Sequence, residues 1–321
     1  MKLNSLLSIL ADQEVHSGES LARELGVSRT AIWKQVRKAM SEGYAIETIR
    51  GQGYRLSGRV DLLDRQVILR QLEDNLASQI DLEILGETDS TNAEVARRLA
   101  RGQSRIPVIL ADCQTAGRGR RGRNWSSPKG QNLYLSLGLP IKGDFTSLDG
   151  LSLVLGVAAA EALESIGKAS IKLKWPNDLF AEGRKCSGIL VEIQGELQQG
   201  YVQVIAGIGI NVHMQQADEV DQPWTSLDLA WPGITWIRNS LAAAIIEAIL
   251  KAVSTFEEEG FEPFRELWQA RDLFRGKTVA AREGQLKGVG AGVDSQGNYL
   301  LEVDGSQVAV RAGDISLRVK P

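Results

Sequence analysis

The sequence predicts a multidomain α+β protein: a winged helix-turn-helix over 1–60, a mixed α/β body over 61–273 and a small closed β-barrel over 274–321. Three observations carry that reading. The first sixty residues place a helix, a tight glycine turn and a cationic helix ahead of a short hairpin pattern. The middle alternates apolar strand-like runs with long helical stretches, and from Lys277 the pattern becomes short alternating strands separated by turn signals. A chain of 321 residues is long enough for two or three such domains.

In the head, Leu3, Leu6, Leu7 and Leu10 recur at helical spacing and predict an amphipathic first helix. A short second helix ends at Gly26, a natural C-terminal breaker, and Ser28 caps the third. That third helix is expected to bury Ile32, Val36, Ala39 and Met40. Ser28, Arg29, Thr30, Trp33, Lys34 and Arg37 are its candidate DNA-facing residues. Two strand-like runs then flank Arg50-Gly51-Gln52-Gly53, a hairpin with a basic tip, and Arg50, Gln52 and Arg55 extend the candidate DNA surface. Residues 1–59 hold nine lysines and arginines against six acids, a net +3 in a chain of net −3, so the remainder carries −6. A basic head on an acidic body fits a DNA-binding module. A ring as large as Trp33 on the outer face is unusual if it touches only water. The body, a second subunit, or the sugar and methyl groups of DNA are all open to it.

In the body, 60–71 read as a linker with a short helix, and 81–85 alternate as a strand. Thr88-Asp89-Ser90-Thr91-Asn92 makes a polar junction ahead of a helix over 93–99. Free backbone N–H groups there, with hydroxyl and amide donors, suit a carboxylate or a ureido-like ring. Taken alone, a plain N-cap by Ser90 or Thr91 is the simpler reading.

Between apolar runs at 107–111 and 133–137 lies Gly117-Arg118-Gly119-Arg120-Arg121-Gly122-Arg123, followed by Asn124-Trp125. Glycine lets the backbone approach a ligand closely, and arginine presents a planar fork of donors suited to phosphate and carboxylate. Such a loop is expected to close over an anion, a nucleotide or an acyl phosphate. An RG-rich nucleic-acid tail would lie at a terminus, whereas this loop joins two strands.

Residues 151–166 form an Ala-rich helix expected to lie buried against a sheet. The run from Ile171 alternates and breaks at Pro176, which puts Lys174, Asn177 and Asp178 at a strand end. Lys185 leads into a strand over 188–193, and a further strand over 201–206 runs into Gly207-Ile208-Gly209-Ile210-Asn211. Gly207 and Gly209 imply backbone pressed against a ligand or a neighbouring strand. Val212 occupies the third glycine position of a dinucleotide fingerprint, and Arg271 stands where a P-loop ending in Gly276-Lys277-Thr278 needs its first glycine. Phosphate recognition therefore falls to arginine and lysine side chains. The polar stretch 213–237, carrying Trp224, Trp231 and Trp236, reads equally as a lid or a long surface loop. Helices over 241–256 and 262–273 close the body. Tail strands at 278–282, 286–293, 299–303 and 307–311, with the hairpin dipeptide Asp304-Gly305, complete the barrel and show no chemistry.

Composition excludes several classes. Cys113 and Cys186 are far apart with no CxxC, and His16 and His213 are the only histidines, so no disulfide framework, zinc site or other protein metal site is expected. The N-terminal apolar run is too short for a signal peptide, and 151–160 and 241–250 fall short of a membrane span. A soluble, cytoplasmic protein is expected.

Taken in order, Asp89-Ser90-Thr91-Asn92, Gln114, the Gly117–Arg123 loop, Lys174-Trp175-Pro176-Asn177-Asp178, Arg184-Lys185 and Gly207-Ile208-Gly209-Ile210-Asn211 resemble the bifunctional biotin protein ligases that also repress the biotin operon. The resemblance covers essentially the whole chain. It implies a central ligase domain related to lipoate and biotin ligases and an SH3-like β-barrel as the tail. It implies activation of biotin with ATP and Mg2+ to biotinyl-AMP, then transfer to a lysine of the biotin carboxyl carrier domain of a biotin-dependent carboxylase. It also implies an adenylate-bound homodimer on operator DNA, with biotinyl-AMP as corepressor. Mapped onto this chain, Ser90, Thr91, Asn92, Gln114, Arg118, Gly119, Arg120 and Lys185 hold biotin, and Arg118, Arg120, Arg121, Asn177, Asn211 and Trp224 contact the nucleotide. Lys185, Arg120 and Asp178 are the catalytic candidates, Asp178 orienting or deprotonating the acceptor lysine. Cys113, next to Gln114, is expected to make binding sensitive to thiol reagents. A repressor without turnover, a ligase whose head has lost DNA binding, and lipoate attachment remain as alternatives. The arginine loop with Lys185 argues against the first, the cationic head against the second, and the head and loop together against the third.

Overall fold

The computed structural model describes residues 3–41, 44–57, 61–102, 104–167, 169–198, 200–217, 220, 222–281, 285–311 and 318–319. The chain forms two compact units, Met1–Leu62 and Leu63–Pro321.

The first unit contains α1 (Leu3–Leu10), α2 (Gly18–Glu24), α3 (Arg29–Ser41), β1 (Ile46–Ile49) and β2 (Gly53–Leu56). Its core joins Leu6, Leu7 and Leu10 to Leu21, Ile32, Val36, Ala39, Ile46 and Leu56. Gly26 takes a left-handed φ of 66°, and Val27 N–H donates back to the Ala22 carbonyl at 2.9 Å, which closes α2. Ser28 Oγ accepts from Ala31 N–H at 3.2 Å and opens α3. Met40, expected in the core, is 43% exposed. It lies about 80° around the helix from Ile32, at the margin of the buried stripe. β1 and β2 pair as the expected hairpin, Ile49 opposite Gly53. His16 and Tyr54 exchange backbone hydrogen bonds of 2.9 Å, adding a third short edge. A Cβ on Gly53 would overlap the His16 carbonyl, so that approach requires glycine.

The second unit begins with α4 (Arg65–Leu69) and an unanticipated α5 (Asp74–Gln79). There follow β3 (Ile80–Leu85), α6 (Thr91–Leu99), β4 (Ile106–Ala111), β5 (Leu133–Lys142), α7 (Leu151–Gly167), β6 (Lys172–Lys174), β7 (Asp178–Ala181), β8 (Arg184–Gln198), β9 (Tyr201–Ile210), α8 (Leu227–Ala230), α9 (Arg238–Glu259) and α10 (Glu262–Arg271). The strands make one sheet in the order β3-β4-β5-β9-β8-β7-β6, parallel only between β3 and β4. Strand periodicity sorts its two faces. Leu133, Leu135, Leu137 and Leu139 of β5, with Val204, Ala206, Ile208 and Ile210 of β9, point into the main core with α7 and α9. The alternate positions Tyr134, Ser136, Gly207, Gly209, Gly188 and Leu190 are thereby on the opposite face. Register aligns Ser136, Gly207 and Leu190 in one row, and Tyr134, Gly209 and Gly188 in the next.

By length and composition, Phe145–Gly167 and α9 are long and apolar enough to cross a membrane, longer than their apolar runs implied. In this fold both are core helices. At the first residue of α9, Arg238 is fully buried against Asp112 (2.9 Å) and the Asn132 carbonyl (3.1 Å).

The tail contains β10 (Thr278–Ala281), β11 (Leu286–Val293), β12 (Tyr299–Val303), β13 (Ser306–Val310) and β14 (Arg318–Val319), the last unanticipated. The expected closed, SH3-like barrel is not what the described residues form. They make an open antiparallel sheet, β13-β12-β11-β10-β14, whose outer strands do not pair. Closure is not needed to bury its apolar face: Val279, Ala281, Val293, Tyr299, Leu301 and Val310 belong to the same core as Trp175 and Trp268. Tyr299 O–H donates to Asp272 at 2.9 Å, and Trp175 Nε1 donates to the Gly297 carbonyl at 3.0 Å.

Candidate functional site

A cavity of about 690 Å³ opens over the glycine rows of the sheet, a volume within the usual range for a small-molecule site. The missing Cβ atoms create it: a Cβ on Gly207 would strike Asn92, and one on Gly209 would come 2.6 Å from the Trp125 ring. Gly209→Ala is therefore expected to leave the fold intact, because half-buried Trp125 can shift, and to raise KM for whatever ligand fills the cavity about tenfold; steady-state kinetics check it.

One wall is the N-terminus of α6. Ser90 occupies the cap position but its side chain makes no capping bond, and Ser90, Thr91 and Asn92 are all buried. The plain N-cap reading is overturned, because these side chains turn toward the sheet and the cavity. Thr91 N–H donates to Gln114 Oε1 at 2.9 Å, Thr91 Oγ1 lies 3.1 Å from the same oxygen, and Gln114 Nε2 donates to Ser127 Oγ at 3.0 Å. Asn92 is engaged on both sides: Ser136 Oγ lies 2.6 Å from its Oδ1, and its Nδ2 donates to Glu192 at 2.7 Å and to the Leu190 carbonyl at 3.4 Å. It lines the cavity but keeps no amide hydrogen for a ligand.

The arginine loop covers the other side. Gly119 N–H donates to the Arg123 carbonyl at 2.7 Å, Trp125 N–H donates to Gly117 O at 2.9 Å, and Arg121 holds a left-handed φ of 57°. A Cβ on Gly117 would press on Ser127 and the Trp125 carbonyl at 2.7 Å, so the fold of this loop depends on glycine there. Arg118 reaches Glu192 at 3.3 Å. Arg120 donates to Asn177 Oδ1 at 3.2 Å, and burial lowers its pKa, with Asp178 opposing that effect. Asn177 is itself fixed to Ile189 by its amide (2.6 Å) and its backbone carbonyl (2.9 Å). Lys185 Nζ pairs with Asp178 at 2.7 Å and sits over the Trp125 ring, 5.4 Å from its centroid. Among the described residues the wall carries six cations, Arg118, Arg120, Arg121, Arg123, Lys174 and Lys185, against one carboxylate, Asp178. It is built to receive an anion.

Asn211 and Trp224 are not in that wall. Asn211 is a structural brace: its Nδ2 donates to the Thr225 carbonyl at 3.0 Å and its carbonyl accepts from Leu227 N–H at 2.9 Å. Trp224 pairs alongside Lys185 as an isolated bridge, while Val220 and Gln222 face the cavity. The stretch from Thr225 to Leu227 is buried, so this part of 213–237 is packed structure.

Residues 87–211 match the biotin/lipoate A/B protein ligase family, and residues 2–55 match a helix-turn-helix domain. The bifunctional ligase/repressor BirA of Salmonella typhimurium is 40% identical over 98% of this chain and 97% of its own length. The chain belongs to the biotin/lipoate protein ligase family. The Bacillus subtilis bifunctional ligase/repressor BirA is 33% identical over 96% of this chain and 95% of its own length. The biotin protein ligase of Aquifex aeolicus, solved with biotin and ATP, superposes with a TM-score of 0.65 at 31% identity, covering 75% of this chain and 99% of that one.

Of the residues named from the sequence, Ser90, Thr91, Asn92, Gln114, the loop arginines, Asn177, Asp178 and Lys185 line the cavity; Ser127, Ser136 and Glu192, which hold Gln114, Asn92 and Arg118, were missed. Trp125 was visible only as the residue after the loop; its Nε1 is buried with no partner. Cys113 lies outside the cavity wall, and burial, with the Glu87 and Asp112 carboxylates, raises its pKa. Burial pushes Cys186 to about 12. Only thiolate is alkylated, so the thiol-reagent sensitivity anticipated for Cys113 is expected to be weak at neutral pH. The labelling rate is expected to keep rising above pH 9; a plateau below pH 8 would contradict this.

In the head, Ser28, Arg29, Thr30, Trp33, Lys34, Arg37, Arg50 and Gln52 are exposed. Arg55 is tied to Glu47 across the hairpin at 2.7 Å.

Proposed function

We propose that this chain activates biotin with ATP and transfers it to a lysine of a biotin carboxyl carrier domain. When loaded with biotinyl-AMP it binds operator DNA as a homodimer and represses biotin synthesis. The carrying observation is the cavity wall of six cations and one carboxylate beside the Thr91–Gln114 polar cluster. Attack of a carboxylate oxygen on the α-phosphorus of ATP brings two anions together and expels pyrophosphate, so fixed positive charge is the main requirement. Ser90, Thr91 and Gln114 hold the polar ring of biotin. Asn92 braces that wall, and Trp125 flanks the apolar chain over Gly209. Arg118, Gly119 and Arg120 enclose the adenylate, with Arg121 on the phosphate side. Lys185 leaves Asp178 for the carboxylate and α-phosphate. Asp178, released, orients the acceptor amine and takes its proton as AMP departs. Mg2+ bound together with ATP would supply further positive charge to the reacting phosphates.

Homodimer formation is supported by the outer edge of β8 beyond Gly188, which no described strand pairs. We further infer that loop 117–123 orders over the adenylate and contributes to that interface, coupling ligand to assembly. The test is incubation with biotin, ATP and a carrier domain, reading its mass and the sedimentation of the loaded chain. A biotinylated carrier and an adenylate-dependent dimer are expected. An unmodified carrier contradicts the ligase reading, and equal dimerisation with and without adenylate contradicts the coupling.

A further inference from the structure

The third helix of the head carries an aromatic that generic phosphate binding does not require. Arg29, Lys34, Arg37 and Lys38 make α3 wholly cationic, with no Asp or Glu in its thirteen residues. In its midst Trp33 is 51% exposed. The Arg37 guanidinium, one turn on, lies 5.4 Å from the centre of the Trp33 ring, within reach of a cation–π contact between i, i+4 neighbours. It covers the ring only in part.

We infer that Trp33 is a specificity-determining residue that reads a thymine in the major groove; this rests on the repressor reading above. Trp33 is the fifth residue of α3, on the N-terminal half that enters the groove in helix-turn-helix proteins. Its side chain offers one N–H donor on an apolar body. Among the base edges of the major groove, thymine alone sets a methyl group beside an acceptor oxygen. Guanine offers two acceptors, adenine an acceptor and a donor, and cytosine a donor. Negative DNA complements the cationic helix, and Arg37, held along the ring, restricts its rotamers and keeps its own fork close to the phosphates.

The test uses the full chain with biotin and ATP. Duplexes are selected from a random library, and each thymine of the selected sequence is then replaced singly by uracil, which removes only the methyl. At one position per half-site, uracil is expected to weaken binding about fourfold, the worth of one buried methyl. Trp33→Phe is expected to keep that penalty and Trp33→Ala to abolish it. Tolerance of uracil everywhere, or an equal penalty in Trp33→Ala, overturns the inference. So does weaker adenylate-driven dimerisation of Trp33→Ala without DNA, which would assign the ring to a protein interface. Recovery of no sequence by a chain that still biotinylates its carrier overturns the repressor reading itself, and this inference with it.

Discussion

Replacing Lys185 by alanine is expected to slow biotinyl-AMP formation by about two to three orders of magnitude, the usual loss when one donor to a developing charge is removed. The ammonium is largely enclosed, 14% exposed, and is held by Asp178 at 2.7 Å. Trp125 under it limits where it can swing. An exposed lysine would contribute far less, because water already solvates the charge it meets. The fold is expected to survive, since Asp178 lies at a cavity wall where solvent and Arg120 offset its charge. Single-turnover measurement of the adenylate should show kcat falling much more than KM for biotin rises. A loss below threefold would remove Lys185 from the chemistry.

The second large effect concerns stability. Arg238→Ala is expected to destabilise the chain by about 3–5 kcal/mol, because it leaves Asp112 as an unpaired charge in the interior. The two side chains are 1% and 3% exposed and 2.9 Å apart. Replacing both by apolar residues of similar volume is expected to recover most of the loss, since the pair itself pays a desolvation cost. Urea denaturation of the single and double variants checks this. Asp112 ends two residues before Gln114, so the single variant should also bind biotin more weakly. Equal stability of wild type and Arg238→Ala would mean that water reaches the pair.

Much of this fold was legible because periodicity reports burial. The leucines of α1, the cationic face of α3, the strand pattern of β5 and the break at Pro176 all come from local sequence. The glycines at 207 and 209 correctly announced close approach, but not that Asn92 and Trp125 fill the space. That depends on the register of β5, β9 and β8, which joins residues up to 77 positions apart. For the same reason Asn92 read as a ligand donor, although Glu192 and Ser136 engage its amide. Trp224 and Asn211 sit next to the right motifs yet do not line the cavity, because adjacency in sequence does not fix side-chain direction across a bend. The tail read as a closed barrel because its strand lengths and turns suit one; what covers its apolar face is the body, which the tail sequence alone does not reveal.

The most direct measurement is exchange of labelled pyrophosphate into ATP, with biotin or lipoate supplied, on the wild-type chain and Lys185→Ala. Exchange is expected with biotin, not with lipoate, and is expected to be lost in the variant. Exchange with lipoate alone, or none with either, would contradict adenylation of biotin in the arginine-lined cavity.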